Sequence, residues 1–516
     1  MKRQKRLFKI ILLLCCSVCL AVAPPEEIEL RVMTFNIWYG GEQVSFSQIA
    51  EVIRSAHPDL IGIQEPDGNL RLLADAAGFS FVDEKRNIIS RYPLFDPDSA
   101  DHNYLHTRVL VRPGRIVAFA NAHLTSSPSG PDLARDGKSL QEIIATENRV
   151  RLPEVEPYIN ELAGLLARDV PVFFAGDFNT PSHLDWTTET TGIRPQIRFP
   201  VKWPVTRAIA GAGLRDSYRE AHPDPVQKPG LTWTPGYPHP YVKSNETHER
   251  IDMIWSGGRT SVIESKIVGE AKNPAVDISI DNYPSDHRAV VSTFRVLPAP
   301  APAMIATDTH SFAAGSDFLV RFQTPDFADW GVVIVPRGGN PDKDVVAAAN
   351  GPDVISTRPS MKFGSTGIAP GAYDAILLDS NSSELARTTF HILAKDAVPE
   401  LHLEKSNFAP GEHIKVSWRN APGMKNDWIG IYKAGDPDVY RSYIAFAYTG
   451  ATVEGSLTLD SKTLRQPLTP GDYELRLMRE DSYVMLARTR FSVRWKCFTS
   501  TDELNPIATR MIKKGA

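Results

Sequence analysis

The sequence is poor in cysteine, with only 4 among its 516 residues. Cys15, Cys16 and Cys19 lie in an apolar segment near the N-terminus, and Cys497 lies close to the other end. If the apolar segment is removed, one cysteine remains and no internal disulfide can form, which excludes the small scaffolds that disulfides hold together. We therefore expect the domains to be held by core packing alone.

Long hydrophobic runs are also missing. The run from Ile10 to Ala23 is shorter than the about 20 residues that a membrane-spanning helix needs. Basic residues precede this run, and the small residues Ala21-Val22-Ala23 end it, a pattern typical of a cleaved signal peptide. We predict that residues 1–23 are removed, that the mature chain has no transmembrane segment, and that the protein is secreted, to the periplasm or the extracellular space.

Positive charge is in deficit. Lys and Arg number 57 against 61 Asp and Glu, a net charge of −4. Residues 1–23 hold 5 basic and no acidic residues, so the mature chain has a charge of −4 − 5 = −9. A net acidic protein binds polyanions poorly, which argues against a scaffold-type or processive nucleic-acid binder. A nuclease with a local basic groove stays compatible with this charge.

The pattern of hydrophobic residues changes once along the chain. Residues 28–297 alternate strand-like and helix-like stretches, which predicts a layered α/β domain. Residues 298–303 are a Pro/Ala linker, which predicts an extended domain boundary. After it, short strands alternate with Gly, Pro and Asp turns, and residues 497–516 are expected to form a tail.

The region after the linker contains an internal repeat. Phe312-Ala313-Ala314-Gly315 returns as Phe408-Ala409-Pro410-Gly411, and Pro370-Gly371-Ala372-Tyr373 returns as Pro470-Gly471-Asp472-Tyr473. This spacing predicts two immunoglobulin-like β-sandwiches, residues 304–396 and 397–496, each with a core tryptophan, Trp330 or Trp428. No catalytic pattern is found in them, and a surface glycan, lipid or protein ligand is a hypothesis.

Polar residues stand where three strands of the first domain should end. Asn36 follows Thr34-Phe35, Glu65 follows the apolar stretch Leu60 to Ile63, and His123 follows Asn121-Ala122. A carboxylate at the end of a buried strand needs a partner or a cation, and hard oxygen ligands suit Mg²⁺. Each residue alone also fits a structural role, as a turn residue, a salt-bridge partner or a satisfied histidine.

Two further motifs add carboxylates and a histidine. Asp177 and Asn179 flank Phe178 after an apolar strand, and we expect both side chains to point to one site. Asp286 and His287 precede another apolar strand and supply a metal ligand and a general acid or base. Asp252, on a strand of its own, is suited to orient a histidine.

Taken in order, these motifs resemble the motif set of the endonuclease/exonuclease/phosphatase superfamily. That superfamily includes pancreatic-type deoxyribonucleases, abasic-site endonucleases, inositol polyphosphate 5-phosphatases and neutral sphingomyelinases. The resemblance covers about residues 28–297. It implies an α/β catalytic domain built as a four-layer α/β/β/α sandwich, with the site at the edges of the two sheets. Arg250-Ile251-Asp252-Met253 stands where the inositol 5-phosphatases carry Cys-Asp-Arg, which argues against that subgroup.

The resemblance also implies a metal site. Asn36 and Glu65 would bind Mg²⁺, with Mn²⁺ as an alternative, and Asp286 would help to place the metal or His287. A divalent ion neutralises charge during in-line attack on phosphorus, where positioning matters more than covalent chemistry.

The catalytic roles implied by the resemblance fall on five residues. Asp177 would orient or deprotonate the attacking water, and Asn179 and His123 would hold the phosphoryl oxygens. His287, paired with Asp252, would act as acid/base or as phosphate donor. The general base is either Asp177 or His287.

These patterns predict a metal-dependent hydrolase of phosphate esters. Its substrate would be a nucleic acid, a phospholipid or a small phosphodiester, and a phosphomonoesterase on the same scaffold is the alternative. An exported binding protein with an inactive hydrolase domain is a third hypothesis, of another class. Metal-dependent activity separates this third hypothesis from the other two.

Neighbouring segments leave alternatives open. The polar loop from Thr125 to Asp132 either forms a substrate-facing wall or decorates the surface. Arg151, on the helix that follows, is expected to be solvated. Trp186, Trp203 and Trp233 fall in loops, and we expect at least two of them to pack in the core and leave the third to stack on substrate.

Overall fold

The structure is a computed structural model that describes residues 26–97, 104–324, 330–351, 360–423, 427–438, 442–450, 452–464, 467–479 and 483–495. The predicted signal peptide and the predicted tail lie outside the described residues. Within these ranges, no helix combines the length and the apolar character that crossing a bilayer requires.

The region before the linker is mixed α/β, as predicted. Its strands are β1 (Ile28–Asn36), β2 (Leu60–Gln64), β3 (Phe81–Asp83), β4 (Ile88–Ser90), β5 (Leu94–Phe95), β6 (His106–Arg112), β7 (Arg115–His123), β8 (Val172–Asp177), β9 (Arg215–Asp216), β10 (Asp252–Gly257), β11 (Thr260–Glu270), β12 (Ile278–Ile280) and β13 (Ala289–Val296), and a further short strand, β14 (Ala299–Pro300), lies within the linker itself. Its helices are α1 (Phe46–Ala56), α2 (Leu70–Ala77), α3 (Gly130–Arg135), α4 (Leu140–Val150), α5 (Leu152–Leu166), α6 (Pro204–Gly211) and α7 (Ser217–Ala221), and a 3₁₀ turn spans Tyr39–Gly41.

These strands form two sheets. The first has the order β12-β11-β13-β1-β2-β4-β3, and the second has the order β5-β6-β7-β8-β10-β9, with β14 added beside β7. Strands β1 and β2 run parallel, as do β7 and β8. The carboxyl ends of each parallel pair therefore lie at one edge of their sheet, and the polar residues that follow those strands are brought together.

Three of the buried clusters of this region link its sheets and helices. One packs Phe35 and Ile61 of the first sheet against α1 and α2. A second joins Val32 of the first sheet to Phe173 of the second, and a third packs Phe174 of the second sheet against α5 and α6. Neighbouring residues of β8 thus point to opposite faces, as the pleat of a strand requires.

Asn121 connects the two sheets by hydrogen bonds. Its amide nitrogen donates to the carbonyl of Ile63 at 2.9 Å, and its amide oxygen accepts from Gln64 Nε2 at 2.7 Å. A Cβ at Gly62 would lie 2.4 Å from Asn121 Oδ1, so only glycine leaves room for this side chain. The glycine in the buried strand is therefore a packing requirement of the sheet contact.

The predicted linker is held against the second sheet. Ala299 and Pro300 form β14, whose partners on β7 are Ile116 and Arg115. Ala299 and Ile116 belong to a buried cluster that also contains Met304, the first residue of the next strand. The Pro/Ala segment is thus extended, as expected, and packed along part of its length.

The region after the linker is rich in strands, as predicted. They are β15 (Met304–Thr307), β16 (Ser311–Ala313), β17 (Asp317–Gln323), β18 (Trp330–Pro336), β19 (Ala347–Gly351), β20 (Ser360–Gly364), β21 (Gly371–Leu378), β22 (Glu384–Leu393), β23 (Glu400–Leu403), β24 (Asn407–Phe408), β25 (Ile414–Arg419), β26 (Trp428–Lys433), β27 (Tyr443–Tyr448), β28 (Gly455–Leu459), β29 (Gly471–Met478) and β30 (Met485–Val493), with one helix, α8 (Ser461–Leu464).

The internal repeat of the sequence is a repeat of topology. The sheets β15-β17-β20 and β16-β22-β21-β18-β19 return in the same order as β23-β25-β28 and β24-β30-β29-β26-β27. The repeated tyrosines make the same bond: Tyr373 donates to the carbonyl of Ala369 at 2.7 Å, and Tyr473 donates to that of Thr469 at 2.6 Å. The immunoglobulin-like layout stays a prediction, as do the domain limits.

The two repeated tryptophans pack in different ways. Trp330 packs against the core of its repeat, with its ring 4.2 Å from that of Phe322. Trp428 is buried in a separate cluster with Tyr432 and Met478. Ile429, its neighbour in the strand, points into the core instead. Trp428 is thus buried, as predicted, but on the other face of its strand from Ile429, because a shift of one position along a strand moves a side chain to the other face.

Candidate active site

The predicted site residues come together at one end of the two sheets. Asn36 ends β1 and Glu65 directly follows β2, while His123 and Asp177 end β7 and β8. Asp252 begins β10, which runs antiparallel to β8 and pairs Asp252 with Asp177. The topology thus places carboxylates from three strands at one edge, although they lie far apart in the sequence.

Asp177 is the centre of this arrangement. Its Oδ2 lies 3.2 Å from Asn36 Nδ2, 3.6 Å from His123 Nε2 and 3.7 Å from His287 Nε2. The side chain is 1% exposed. Burial and the nearby charge of Asp252 raise the pKa of Asp177, although both histidines oppose that rise. One buried carboxylate oxygen therefore faces one amide and two imidazoles.

His287 and Asp252 form a buried pair. His287 Nδ1 lies 2.9 Å from Asp252 Oδ2, which leaves Nε2 directed at Asp177. Burial lowers the pKa of His287, but the carboxylates of Asp252, Asp177 and Asp286 outweigh it and raise the pKa to about 10. The imidazole is therefore charged at neutral pH in the metal-free protein.

Asn36 and Glu65 are linked to each other. Asn36 Nδ2 donates to Glu65 Oε1 at 3.2 Å, and Glu65 Oε2 accepts the backbone N–H of Tyr39 at 2.9 Å. Glu65 has φ 56° and Trp38 has φ 59°, values that non-glycine residues rarely adopt. Such backbone strain is typical of functional sites, where surrounding bonds hold it in place.

Asn179 reaches the site by a different route from the one expected. Its φ is 51°, so it lies beyond the end of β8 and does not follow strand alternation. Its backbone N–H donates to Asp177 Oδ1 at 3.0 Å, and its amide donates to the carbonyl of Leu124 at 2.9 Å. Asn179 and His123 both line the cavity, whereas Phe178 is buried in the core.

Asp286 faces the same cavity and is mostly buried. Burial raises the pKa of its carboxyl to about 7, against the effect of the charged His287. Its Oδ1 is buried without a hydrogen-bond partner, and so is Oδ1 of Asp252. Burying a carboxylate oxygen without a partner destabilises the folded protein unless a cation binds to it or a donor hydrogen-bonds to it.

These carboxylates fit a divalent ion. Ligand atoms of Asp177, Asp252 and His287 all lie within 4.8 Å of one another. Glu65, Asp177 and Asp286 supply the hard oxygen atoms that Mg²⁺ prefers. The structure thus brings Asp177 next to the predicted ligands Asn36 and Glu65. The individual roles of all eight predicted residues stay predictions.

Sequence reasoning missed several residues that hold the site. Ser285 Oγ donates to the carbonyl of Asn36 at 2.7 Å and accepts the backbone N–H of His287 at 3.1 Å. Thr232 Oγ1 accepts the backbone N–H of Asp252 at 3.1 Å. Buried Arg250 lies 2.9 Å from Asp185 and 2.7 Å from Asp216. Ser285 directly precedes Asp286, and Arg250 lies two residues before Asp252. These positions beside motif residues could have identified both as structural supports of the site.

The cavity over these residues has a volume of about 280 Å³. The loop after His123 contributes Ser126, Ser129, Pro131 and Asp132 to its lining, so this loop forms a wall of the site. Trp233 also lines the cavity, with its ring 4.7 Å from that of His287. Trp186 and Trp203 are fully buried, as expected for two of the three tryptophans.

Known proteins resemble this chain over the same region. The model of the endonuclease/exonuclease/phosphatase family matches residues 33–287. A Caenorhabditis elegans protein, the uncharacterized protein F14F9.5, is 32% identical over 315 residues, which cover 56% of this chain and 98% of that protein.

Solved structures show lower similarity. An endonuclease/exonuclease/phosphatase from Beutenbergia cavernae is 17% identical, covers 70% of this chain and 100% of its own, and has a TM-score of 0.34. TDP2 from C. elegans is 17% identical over 52% of this chain and 76% of its own, with a TM-score of 0.32. A mannosyl-6-phosphatase from Bacteroides thetaiotaomicron is 16% identical over 51% and 99%, with a TM-score of 0.30.

The family model and the site point to the same residues. The match begins within β1 and ends at His287, so it includes every strand end that contributes to the site. Residues 33–287 therefore form a domain of the endonuclease/exonuclease/phosphatase family, whose members are metal-dependent hydrolases of phosphate esters.

Proposed function

We propose that this chain is an exported, divalent-metal-dependent phosphodiesterase that uses water as the nucleophile. The observation that carries the proposal is the position of Asp177 Oδ2, 3.6 Å from His123 Nε2 and 3.7 Å from His287 Nε2. A carboxylate that directs water, beside two imidazoles that contact phosphoryl oxygens, is suited to in-line displacement at phosphorus.

Asp177 is proposed as the group that orients the water and takes its proton. The water oxygen then bonds to phosphorus, and the bond from phosphorus to the leaving alcohol breaks. His287 is charged at neutral pH, with a pKa of about 10, so it has no free site on Nε2 for a proton. That state favours His287 as a donor to phosphate or to the leaving oxygen, and it favours Asp177 as the base.

His123 and Asn179 are proposed to hold the remaining phosphoryl oxygens. Both line the cavity beside Asp177. Donors fixed before the reaction stabilise charge that develops on phosphoryl oxygens. Asn179 is fixed by its bond to the carbonyl of Leu124, which limits the positions its side chain can take.

A divalent ion, Mg²⁺ or Mn²⁺, is proposed to bind at Asn36, Glu65 and Asp286. When bound, such an ion neutralises charge on the phosphoryl group and polarises it. The unpartnered Oδ1 of Asp286 supports this assignment. Asn36 Oδ1 accepts the backbone N–H of Trp38 at 3.1 Å, so its amide must turn or share that oxygen to coordinate a metal.

The proposal also includes the layer arrangement of the domains and the export of the protein from the cell. The three clusters on the two faces of each sheet support a four-layer α/β/β/α sandwich. The repeated sheet order and tyrosine bonds support two immunoglobulin-like sandwiches, with a surface ligand as their proposed role. Export is supported by the sequence of residues 1–23, and N-terminal sequencing of the protein from its host tests it.

The test compares initial rates on bis(4-nitrophenyl) phosphate and 4-nitrophenyl phosphate, with Mg²⁺ or Mn²⁺ and with chelator. We expect faster cleavage of the diester, lost with chelator and reduced by about 100-fold or more in His287→Ala. The matched control is His413→Ala, which removes an exposed histidine far along the chain and should leave the rate unchanged.

The outcomes separate the three hypotheses. Faster cleavage of the monoester would make the protein a phosphatase on the same scaffold. Metal-independent activity, or equal rates for His287→Ala and His413→Ala, would contradict the proposed mechanism. No hydrolysis of any phosphate ester with either metal would favour the binding-protein hypothesis.

A further inference from the structure

The lining of the active-site cavity is strongly acidic. The cavity is lined by 17 described residues. Among these described residues, 6 are Asp or Glu, 2 are His, and none is Lys or Arg. Three of the carboxylates lie outside the proposed metal and water site: Asp132, which is paired with Arg135, Glu249, which lies 3.5 Å from Arg194, and Glu246.

One of these three carboxylates is fixed beside the reacting centre. Glu246 Oε1 accepts from Trp233 Nε1 at 3.0 Å, and Glu246 Oε2 accepts from the hydroxyl of Tyr237 at 2.7 Å. The ring of Trp233 in turn packs against His287 at 4.7 Å. Glu246 thus holds an aromatic wall, formed by Trp233 and Tyr237, next to the histidine.

Two of the cations near this wall, Arg135 and Arg151, are already engaged, whereas exposed Lys243 lies with its Nζ 4.7 Å from the centre of the Tyr237 ring. Arg135 donates to Asp132, to Asp136 and to the carbonyl of Asn245. Arg151 is fully buried and donates to Glu147 and to three loop carbonyls. Their hydrogen bonds hold the loop after His123 in place, so these guanidinium groups are not presented to a substrate.

A polynucleotide would bring phosphates next to the one that is cleaved. Affinity for such a strand comes mainly from Lys and Arg that contact neighbouring phosphates. Carboxylates that line the cavity repel these neighbouring phosphates, and a low-dielectric cavity strengthens the repulsion. The cavity therefore has the wrong charge for a second anionic group close to the reacting phosphoryl group.

We propose that this site selects phosphodiesters in which the reacting phosphoryl group is the sole anionic group, so that the alcohol packed against Trp233, near Asp132 and Glu246, is uncharged or cationic. The proposal rests on the phosphodiesterase function above and narrows its substrate class. It predicts that DNA and RNA strands are poor substrates and that small or lipid-like diesters of neutral or cationic alcohols are good ones.

The test uses a matched pair, thymidine 5′-(4-nitrophenyl phosphate) and the same compound with a 3′-phosphate, cleaved by the full chain with Mn²⁺. We expect the 3′-phosphate to lower kcat/KM by about tenfold or more. A second pair, 4-nitrophenyl phosphocholine and ethyl 4-nitrophenyl phosphate, tests positive charge. The choline ester should be cleaved at least as well as the ethyl ester.

Variants that change the charge of the cavity lining test whether Glu246 and its neighbours cause the discrimination against a second anionic group. Glu246→Lys should raise the ratio of kcat/KM for the 3′-phosphorylated over the plain compound by about fivefold or more. Ser126→Lys adds a cation to the same cavity without removing the bonds of Glu246, so it serves if Glu246→Lys fails to fold. Glu156→Lys, on the exposed side of α5, should leave the ratio unchanged.

These experiments distinguish failure of the proposed phosphodiesterase function from failure of the selectivity inference. If the plain thymidine ester is not cleaved with metal, the proposed function fails and this inference fails with it. If both thymidine compounds are cleaved equally, or the choline ester is tenfold slower than the ethyl ester, the phosphodiesterase stands and only the selectivity inference is overturned. An unchanged ratio in both lysine variants overturns the assignment to this wall.

Discussion

His287 Nδ1 lies 2.9 Å from Asp252 Oδ2, and both side chains are almost completely buried. With its pKa near 10, His287 carries its charge through the neutral range. A group whose pKa is raised on folding stabilises the folded state fully below its ordinary value of 6.5, and that contribution is lost as pH rises through 10. Asp252 is thus proposed to set both the orientation and the charge of this histidine.

Replacing Asp252 by Asn should therefore lower the pKa of His287 from about 10 towards 6.5. The neutral amide removes the charge that favours the protonated ring. NMR titration of the His287 ring in chelator-treated protein measures the change. Asp281→Asn removes an exposed carboxylate a few residues away and should leave the pKa in place. Equal titration in both variants would show that Asp252 does not control the charge.

Replacing Glu65 by Gln should weaken the binding of the divalent ion. The substitution keeps the size of the side chain and removes the charge at the end of β2 that is proposed to hold the ion. We expect about tenfold weaker Mn²⁺ binding by calorimetry and about 100-fold lower kcat/KM. Glu156→Gln, an exposed change on α5, should alter neither value. Unchanged Mn²⁺ affinity in Glu65→Gln would place the ion elsewhere.

Replacing Gly62 by Ala should destabilise the contact between the sheets. The new Cβ would lie 2.4 Å from Asn121 Oδ1, so Asn121 must move and its bonds to Gln64 and Ile63 must distort. We expect a loss of about 1–3 kcal/mol in the free energy of unfolding, measured with urea. Gly164→Ala, in α5 with open space around it, should instead stabilise by about 0.5–1 kcal/mol. Effects of the same sign at both positions would contradict this account.

Replacing Arg250 by Met should be strongly destabilising. The change leaves Asp185 and Asp216 buried without the cation that lies 2.9 Å and 2.7 Å from them. Breaking a buried ion pair by removing one partner costs about 3–5 kcal/mol. Thermal unfolding should show this loss, whereas Arg259→Met, at an exposed position, should change stability by less than about 0.5 kcal/mol. A small effect at Arg250 would mean that water replaces its contacts.

The sequence was informative where a residue's position in a strand determines where its side chain lies. Asn36, Glu65 and Asp177 were each expected where a strand ends, and the family resemblance implied that they share one site at the edges of the two sheets. The mixed α/β composition and the strand-rich second region followed from periodicity in the same way. These features depend on local pattern and on simple topology.

Features that depend on contacts with backbone groups of other segments, or on strand register, could not be predicted from the sequence. Arg151 was expected to be solvated, but it is fully buried because it donates to carbonyls of Thr125, Ser126 and Pro128. Trp428 is buried, as expected, but its strand register places it in a different cluster from its strand neighbours Ile429 and Ile431. Nothing in the residue types alone specifies either arrangement.

Strand β14 ties the predicted domain boundary near residue 298 to the sheet that precedes it. Ala299 pairs with Ile116 of β7, the strand that ends at His123, and Met304 completes the buried cluster around Phe95 and Leu110. A protease or a cloning design that cut the chain at Leu297 would uncover an apolar seam on the catalytic half. The two halves are therefore best treated as a single folding and purification unit.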